Sequence, residues 1–347
     1  MNNVLSFYLG NVIVSFLTTS LLIVPFINAL YRLKFQRRKQ QTIDALGKRS
    51  PIFDKFHQHK VGTPVGGGAL IIFVVTILSA LVLFLMNITG FRINPVYPLR
   101  PEIFILFFTL ISFGALGLYD DVKKFFGFEK TKFFGLRLIH KFTLQWILGF
   151  IIAFLLYQWL GISFLHIPFF GTINLGILYI PFAAFTIVSF ANAVNITDGL
   201  DGLAAGVLMI CLFGFWILSA SILDTPLSVF ISLWIGALIA FLYFNVNPAR
   251  IWMGDVGALA FGAALAVVGL LLGKTVGLVV IGGLFFVEVF TSGAQLLSKA
   301  IRKKKIFPAA PFHLYLQHIG WEEPKIVARA WLAGIILTII GLWISFL

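Results

Sequence analysis

Residues 202–221 read GLAAGVLMICLFGFWILSAS, twenty positions without a charged side chain and without alternation of apolar and polar residues. As a helix this stretch matches the hydrocarbon thickness of a bilayer, and it lacks the two-residue period of a lipid-facing barrel strand. Comparable apolar segments lie near 4–30, 65–86, 102–118, 138–159, 173–190, 226–242, 256–273, 275–297 and 325–346. Of the 347 residues, 60% are hydrophobic and only 11% charged, and the mean hydropathy is +1.00. A soluble domain keeps roughly 25% charged residues, so most of this surface must face lipid. Backbone polar groups in lipid have to be satisfied internally, which leaves helices or closed barrels. The sequence therefore predicts an all-α integral membrane protein of about ten transmembrane helices, folded as one polytopic domain over residues 1–347.

The N-terminal run follows Met1-Asn2-Asn3 without a basic leader and is too long for a cleaved signal, so it is expected to remain as the first span. Cys211, the one cysteine, sits inside an apolar run and has no partner for an intramolecular disulfide. The net charge of +13 raises the question of nucleic acid, but the placement of the charges argues against that partner.

Arg32, Lys34, Arg37, Arg38, Lys39, Lys48, Arg49, Lys55 and Lys60 follow the first segment. Lys123, Lys124, Lys130, Lys132, Arg137 and Lys141 follow the third, and Lys299, Arg302, Lys303, Lys304, Lys305 and Lys325 precede the last. The opposite loops hold Arg92, Arg100 and Lys274. Cytoplasmic loops are the ones enriched in Lys and Arg, so both termini are predicted outside. Much of this basic charge orients the chain and meets anionic membrane lipid.

Of the 13 acidic residues, five fall in three short segments, each at the cytoplasmic end of a predicted span. The first contains Asp120 and Asp121. Adjacent carboxylates at a membrane boundary imply a metal, a cation or a shared proton; a solvated helix end with Lys partners is the plainer alternative. On a helix the two side chains diverge by about 100° and should divide their roles. The second segment runs Asn192-Ala193-Val194-Asn195-Ile196-Thr197-Asp198-Gly199-Leu200-Asp201-Gly202. Its polar residues recur every third position, and each such step drifts by about 60° around a regular helix. Gly199 and Gly202 permit an irregular backbone that would turn those residues toward one cavity; a turn with Asx caps is the alternative. The third segment sets Asp255 between Gly254 and Gly257 at the start of a span. There it serves either as a helix cap or as a ligand for Mg²⁺, which takes one or two carboxylates plus phosphates and water.

Two further stretches lie on the same face. Residues 60–68, Lys-Val-Gly-Thr-Pro-Val-Gly-Gly-Gly, would let backbone N–H groups approach phosphate or else serve close helix packing. The loop from Ala310 to Trp321 carries His313, the histidine with the strongest claim to function.

Taken together, these motifs resemble the polyprenyl-phosphate N-acetylhexosamine-1-phosphate transferase superfamily, and within it the phospho-N-acetylmuramoyl-pentapeptide transferase family. The likeness extends over nearly the whole chain. It rests on Gly-Thr-Pro-x-x-Gly-Gly, the Asp-Asp pair, the 192–202 segment, Met-Gly-Asp-x-Gly, and the Ala-Pro-x-His loop leading into Gly-Trp-x-Glu. The resemblance implies an enzyme of the bacterial inner (plasma) membrane with its active site on the cytoplasmic face. Undecaprenyl phosphate would attack the sugar-proximal phosphate of UDP-N-acetylmuramoyl-pentapeptide, releasing UMP and forming lipid I with Mg²⁺. It further implies that Asp255 holds the metal, that Asp120 and Asp121 organise the acceptor phosphate, and that His313 lies on the sugar or phosphate side of the donor. Asn192, Asn195, Asp198 and Asp201 would surround the nucleotide and diphosphate, Gly199 and Leu200 would line the uracil pocket, and Trp252 would lie near the base. Asn245, Lys60 and Lys132 would add polar and cationic contacts, and a homodimer is expected.

Two departures bear on the donor. The family has three consecutive histidines where this chain has His313, Leu314 and Tyr315, and a threonine where it has Val65. The branch that moves N-acetylglucosamine 1-phosphate onto the same lipid is therefore the enzymatic alternative. A transporter or lipid-binding protein is the alternative from another class, because intramembrane acids also mark substrate pathways.

Overall fold

The computed structural model describes residues 2–36, 60–91, 93–126 and 138–347. These form α1 (Asn2–Arg32), α2 (Gly67–Thr89), α3 (Leu99–Phe126), α4 (Leu138–Leu160), α5 (Tyr179–Thr197), α6 (Leu203–Ser221), α7 (Thr225–Asn245), α8 (Gly254–Leu271), α9 (Thr275–Ile281), α10 (Gly283–Ile301), α11 (Phe312–His318) and α12 (Glu323–Phe346). Ten of them are long and apolar enough to cross a membrane, in agreement with the hydropathy reading.

Burial sorts these helices into a centre and a periphery. The apolar windows of α7 and α8 are 83% and 89% buried, whereas those of α1 and α10 are each 22% buried, which puts α7 and α8 at the axis. Small residues let α8 sit there. A Cβ on Gly68 would collide with the backbone of Gly257, so α2 and α8 cross at closest approach. One hydrophobic cluster runs from Tyr8 and Ile23 on α1 through Phe113, Phe215, Trp234 and Phe261 to Val327 on α12.

Two features depart from the expected layout. The apolar run 275–297 is not one helix: it breaks at Gly282 into α9 and α10. A side chain on Gly282 would press on the Phe190 ring of α5, so the break is packed into the core. Between α4 and α5 the chain also forms a hairpin, β1 (Phe164–Ile167) antiparallel to β2 (Gly171–Asn174), which takes up the connection after 159 and the first two residues of the segment expected from 173.

Helix α3 outruns its predicted segment at the C-terminal side, and so carries Asp120 and Asp121 within regular helix. At its opposite end Glu102 is fully buried near Asp224, the N-cap of α7, whose Oδ1 accepts from the Leu227 N–H at 3.3 Å. Burial pushes the Asp224 carboxyl up to about 6, against the pull of the Leu227 N–H and the Glu102 side chain.

Candidate active site

The C-terminus of α3, the N-terminus of α4, the C-terminus of α5 and the N-terminus of α8 converge at one end of the bundle. The approach of α3 to α8 sets the geometry. A Cβ on Gly117 would overlap the carbonyl of Asp255, so only glycine allows the two backbones to touch there. One turn on, Asp120 and Asp121 reach the first turn of α8. Gly254 opens that turn with φ +77°, where a Cβ would lie 2.8 Å from Asp121 Oδ2 and 3.0 Å from the Gly66 nitrogen.

The adjacent carboxylates do divide their work. Asp121 Oδ2 accepts from the Val256 N–H at 3.0 Å, supplying one of the acceptors that the start of α8 lacks. Asp120 Oδ2 instead lies 3.0 Å from both Lys124 Nζ and Lys141 Nζ. Asp255 joins this group. Its Oδ2 is 2.7 Å from Lys124 Nζ and also pairs with Lys141, and its Oδ1 accepts from Asn195 Nδ2 at 3.0 Å. The helix-cap reading of Asp255 therefore falls to Asp121. Lysine partners are indeed present beside the Asp pair, but the pair is buried rather than solvated, each residue being 2% exposed.

Asn192 sits one helical turn deeper. Its Nδ2 donates to Gln145 Oε1 at 2.5 Å and to the Val188 carbonyl at 2.8 Å, so it ties α5 to α4 beneath the charged layer. Beyond Thr197 the chain leaves the helix, as the glycines suggested: Asp198 takes φ −74° and ψ 48°, and Gly202 takes φ +80°. Asp198 meets the Gly254 N–H. Burial, then the charges of Asp255 and Asp201, push its carboxyl up to about 7, while Lys60 and that N–H pull the other way.

A second cluster locks this loop. Lys60 Nζ lies 2.9 Å from Asp201 Oδ1 and 2.5 Å from Glu323 Oε1, and 5.3 Å from the centroid of the Trp252 ring. Glu323 Oε1 also accepts from the Asp201 N–H at 2.6 Å. Asp201 Oδ2 accepts from Asn247 Nδ2 at 3.2 Å and from the Ala249 N–H at 3.0 Å. Asn245 spends both ends of its amide on backbone, accepting from Gly202 N–H at 3.2 Å and donating to the Ile251 carbonyl at 2.9 Å. The Leu200 side chain belongs to the hydrophobic core. Asn245, Asp201 and Leu200 thus shape the loop from below.

Within residues 60–68, the N–H groups of Gly66, Gly67 and Gly68 are spent on backbone rather than offered to a ligand. Gly66 and Gly67 donate to the Trp252 carbonyl at 3.1 and 2.9 Å, and Gly68 donates to the Met253 carbonyl at 2.9 Å. The stretch packs α2 onto the start of α8. His313 is buried at the start of α11, with Nδ1 3.0 Å from Glu288 Oε2, and Gly199 lies against its Nε2. Leu314 turns into the core, and the Tyr315 ring stacks on Phe312 at 6.4 Å. Lys132 lies outside the described residues.

Four site residues escaped the sequence reading as individuals. Lys124 had a local signal, since it stands four residues after Asp120 on the same helix. Glu323 closes the Gly-Trp-x-Glu motif, which marked its place but not its partners; Lys141 and Glu288 had no such signal, because their partners are distant in the chain. The arrangement combines buried carboxylates, ammonium groups converging on them and a polar loop alongside, the means by which a protein neutralises and aligns phosphoryl groups. Asp255 is the most open of the three acids, its side chain 15% exposed against 3% for Asp120 and 2% for Asp121. Among the described residues no three His, Cys, Asp or Glu side chains form a closed metal cage. Asp255 and Asp120 are the carboxylates that could hold a hard cation, one or two carboxylates being what Mg²⁺ takes beside phosphate oxygens and water.

Comparison with known proteins agrees with this chemistry. Residues 103–273 match the model of glycosyl transferase family 4. Proteins called phospho-N-acetylmuramoyl-pentapeptide-transferase resemble the chain along almost its full length. The one from Bacillus pumilus is 34% identical over 340 residues, covering 97% of each chain. That of Geobacillus sp. is 36% identical over 338 residues, 96% of each, and that of Staphylococcus epidermidis is 36% identical over 96% of this chain and 98% of its own. At that identity and coverage, the chain belongs to the phospho-N-acetylmuramoyl-pentapeptide transferase family.

Proposed function

We propose that the protein transfers phospho-N-acetylmuramoyl-pentapeptide from its UDP donor to undecaprenyl phosphate, in peptidoglycan synthesis. An oxygen of the acceptor phosphate forms a bond to the sugar-proximal phosphorus of the donor. The bond from that phosphorus to the bridging oxygen breaks, UMP leaves, and lipid I remains in the membrane. The observation that carries this reading is the convergence of Asp120, Lys124, Lys141, Asn195 and Asp255 at one end of a bundle whose relatives bear the transferase name.

In this reading Asp255, with Asp120 beside it, would hold Mg²⁺, which would supply positive charge to the diphosphate. Lys124 and Lys141 release their carboxylates in part and take up phosphoryl oxygens, so that negative charge is met as the bond changes. Asp120 orients the acceptor phosphate, and Asp121 keeps α8 in register for it. Asn195 fixes the Asp255 carboxylate. The Asp198–Asp201 loop, stiffened by Lys60, Glu323 and Asn245, forms the donor floor, with Trp252 as the stacking surface for the base. Holding both reactants in line is where most of the acceleration arises.

The site end is also the end rich in Lys and Arg, which orients it to the cytoplasm with both termini outside in the bacterial inner membrane. Lys325 and Arg329 flank the Trp321 ring at 5.1 and 4.5 Å, an arrangement that meets anionic headgroups at the interface. The test is UMP release by purified protein with Mg²⁺ and undecaprenyl phosphate, offered UDP-N-acetylmuramoyl-pentapeptide or UDP-N-acetylglucosamine. Release with the first donor alone supports the assignment. Release with the second alone moves the protein to the neighbouring branch and puts Leu314 and Tyr315 at the origin of the change.

A further inference from the structure

Glu288 lies within α10 and is buried, the residue being 6% exposed. A buried acid needs partners, and both of its partners belong to one residue. Oε1 accepts from the His313 backbone N–H at 3.1 Å, with Oε2 3.4 Å from the same nitrogen, and Oε2 lies 3.0 Å from His313 Nδ1. Part of this is structural. Helix α11 begins after Pro311, which has no side chain able to cap it, so Glu288 supplies an acceptor to its first turn from another helix.

The ring contact goes further than capping requires. An ionised carboxylate only accepts hydrogen bonds, so Nδ1 carries the proton. The remaining ring nitrogen, Nε2, is buried and has no hydrogen-bond partner among the described residues. It lies so close to Gly199 that a Cβ there would stand 2.6 Å away. The imidazole is thus held at one edge, and its other edge is set against the 198–201 loop with its hydrogen-bonding capacity unspent. A buried polar atom left unpaired is unfavourable, and a ligand atom at that position would remove the penalty.

We propose that Glu288 is a positioning residue for the transfer: it holds His313 with Nδ1 protonated and turns Nε2 onto the donor loop at Gly199, where Nε2 meets a polar atom of the sugar-phosphate donor. This rests on the transferase reading for the identity of the ligand, but not for the state of the ring. It also gives a reason why one histidine suffices here. His313 is the member of the 313–315 run with a carboxylate behind it, while Leu314 packs in the core and Tyr315 stacks on Phe312.

The test compares the full-length wild type with E288Q, H313N and the double variant, all in detergent. E288Q retains an acceptor for the α11 backbone, and thermal melts are to check that it folds. The proposal expects E288Q to lower kcat by about 10- to 100-fold with donor KM changed far less, the scale for losing a group that orients a functional histidine. It expects the double variant to be no slower than H313N alone. Losses that multiply would show Glu288 acting independently of the ring and overturn the proposal. A second readout needs no turnover: ¹⁵N shifts of the His313 ring, assigned by their loss in H313N. Protonated Nδ1 in the wild type, with the proton partly shifted to Nε2 in E288Q, supports the account, and unprotonated Nδ1 in the wild type overturns it. If the wild type releases no UMP, the transferase reading fails while the ring measurement still decides the role of Glu288.

Discussion

The α-carbon of Gly117 lies against the carbonyl of Asp255, so that α3 and α8 meet backbone to backbone just below the acids. Asp121 then reaches the Val256 N–H, and Asp120 comes within range of the lysines that also hold Asp255. A side chain at position 117 has only backbone to push against, so the helices must separate. Gly117→Ala is expected to cost about 1–3 kcal/mol as an overpacked contact. Displacing the acids by a few tenths of an ångström to 1 Å should cut kcat by up to about 100-fold. Thermal melts and UMP release check both parts; full activity would show that the crossing does not set the site.

Lys141 is paired with two acids that come from different helices. Lys141→Gln keeps length and polarity but removes the charge. The rate is expected to fall by about 10²- to 10³-fold, the scale for losing a group that stabilises transition-state charge. Donor KM should change much less. A loss confined to KM would reassign Lys141 to ground-state binding.

Glu323 closes the loop cluster through Lys60 and the Asp201 N–H. Glu323→Ala leaves a buried ammonium with one carboxylate instead of two, and breaking a buried pair costs roughly 3 kcal/mol or more. The expected signature is a lower melting temperature together with a higher KM for the UDP donor, and steady-state kinetics at two donor concentrations suffice to detect it. Unchanged KM and stability would remove Glu323 from the donor floor.

The spans are legible because hydropathy integrates over twenty positions, and the site segments because carboxylates and amides are rare in such a chain. The division between Asp120 and Asp121 also follows from helical geometry alone. The break at Gly282 is invisible to hydropathy, since the residues on both sides of it are apolar and the Phe190 ring that leaves no room for a side chain there comes from another helix. Lys60 and Glu323 are 263 residues apart and Lys141 and Asp255 are 114 apart, separations that no local pattern encodes. The glycine-rich stretch had two readings in sequence, and the packing one holds where it meets α8: the N–H groups of Gly66, Gly67 and Gly68 are consumed by the carbonyls of Trp252 and Met253.

At the other end of the bundle, the Asp224 carboxyl is pushed up to about 6. A raised folded-state value means that the native protein holds the proton more tightly than the unfolded chain, so stability is present at low pH and is lost as pH rises from about 4 through about 6. Asp224→Asn keeps the acceptor for the Leu227 N–H and removes the charge. It is expected to raise the apparent melting temperature at pH 7.5 by about 2–5 °C and to give no gain at pH 4. A variant less stable than wild type at pH 7.5 would show that the charge is favourable there.

The most direct test of the account is the identity of the lipid product. Purified protein with Mg²⁺, undecaprenyl phosphate and UDP-N-acetylmuramoyl-pentapeptide should yield a lipid whose mass equals undecaprenyl diphosphate bearing the muramoyl-pentapeptide, formed one for one with UMP. Asp255→Asn should yield neither. A lipid product lacking the pentapeptide, UMP formed without any lipid product, or an Asp255→Asn enzyme as active as wild type would contradict it.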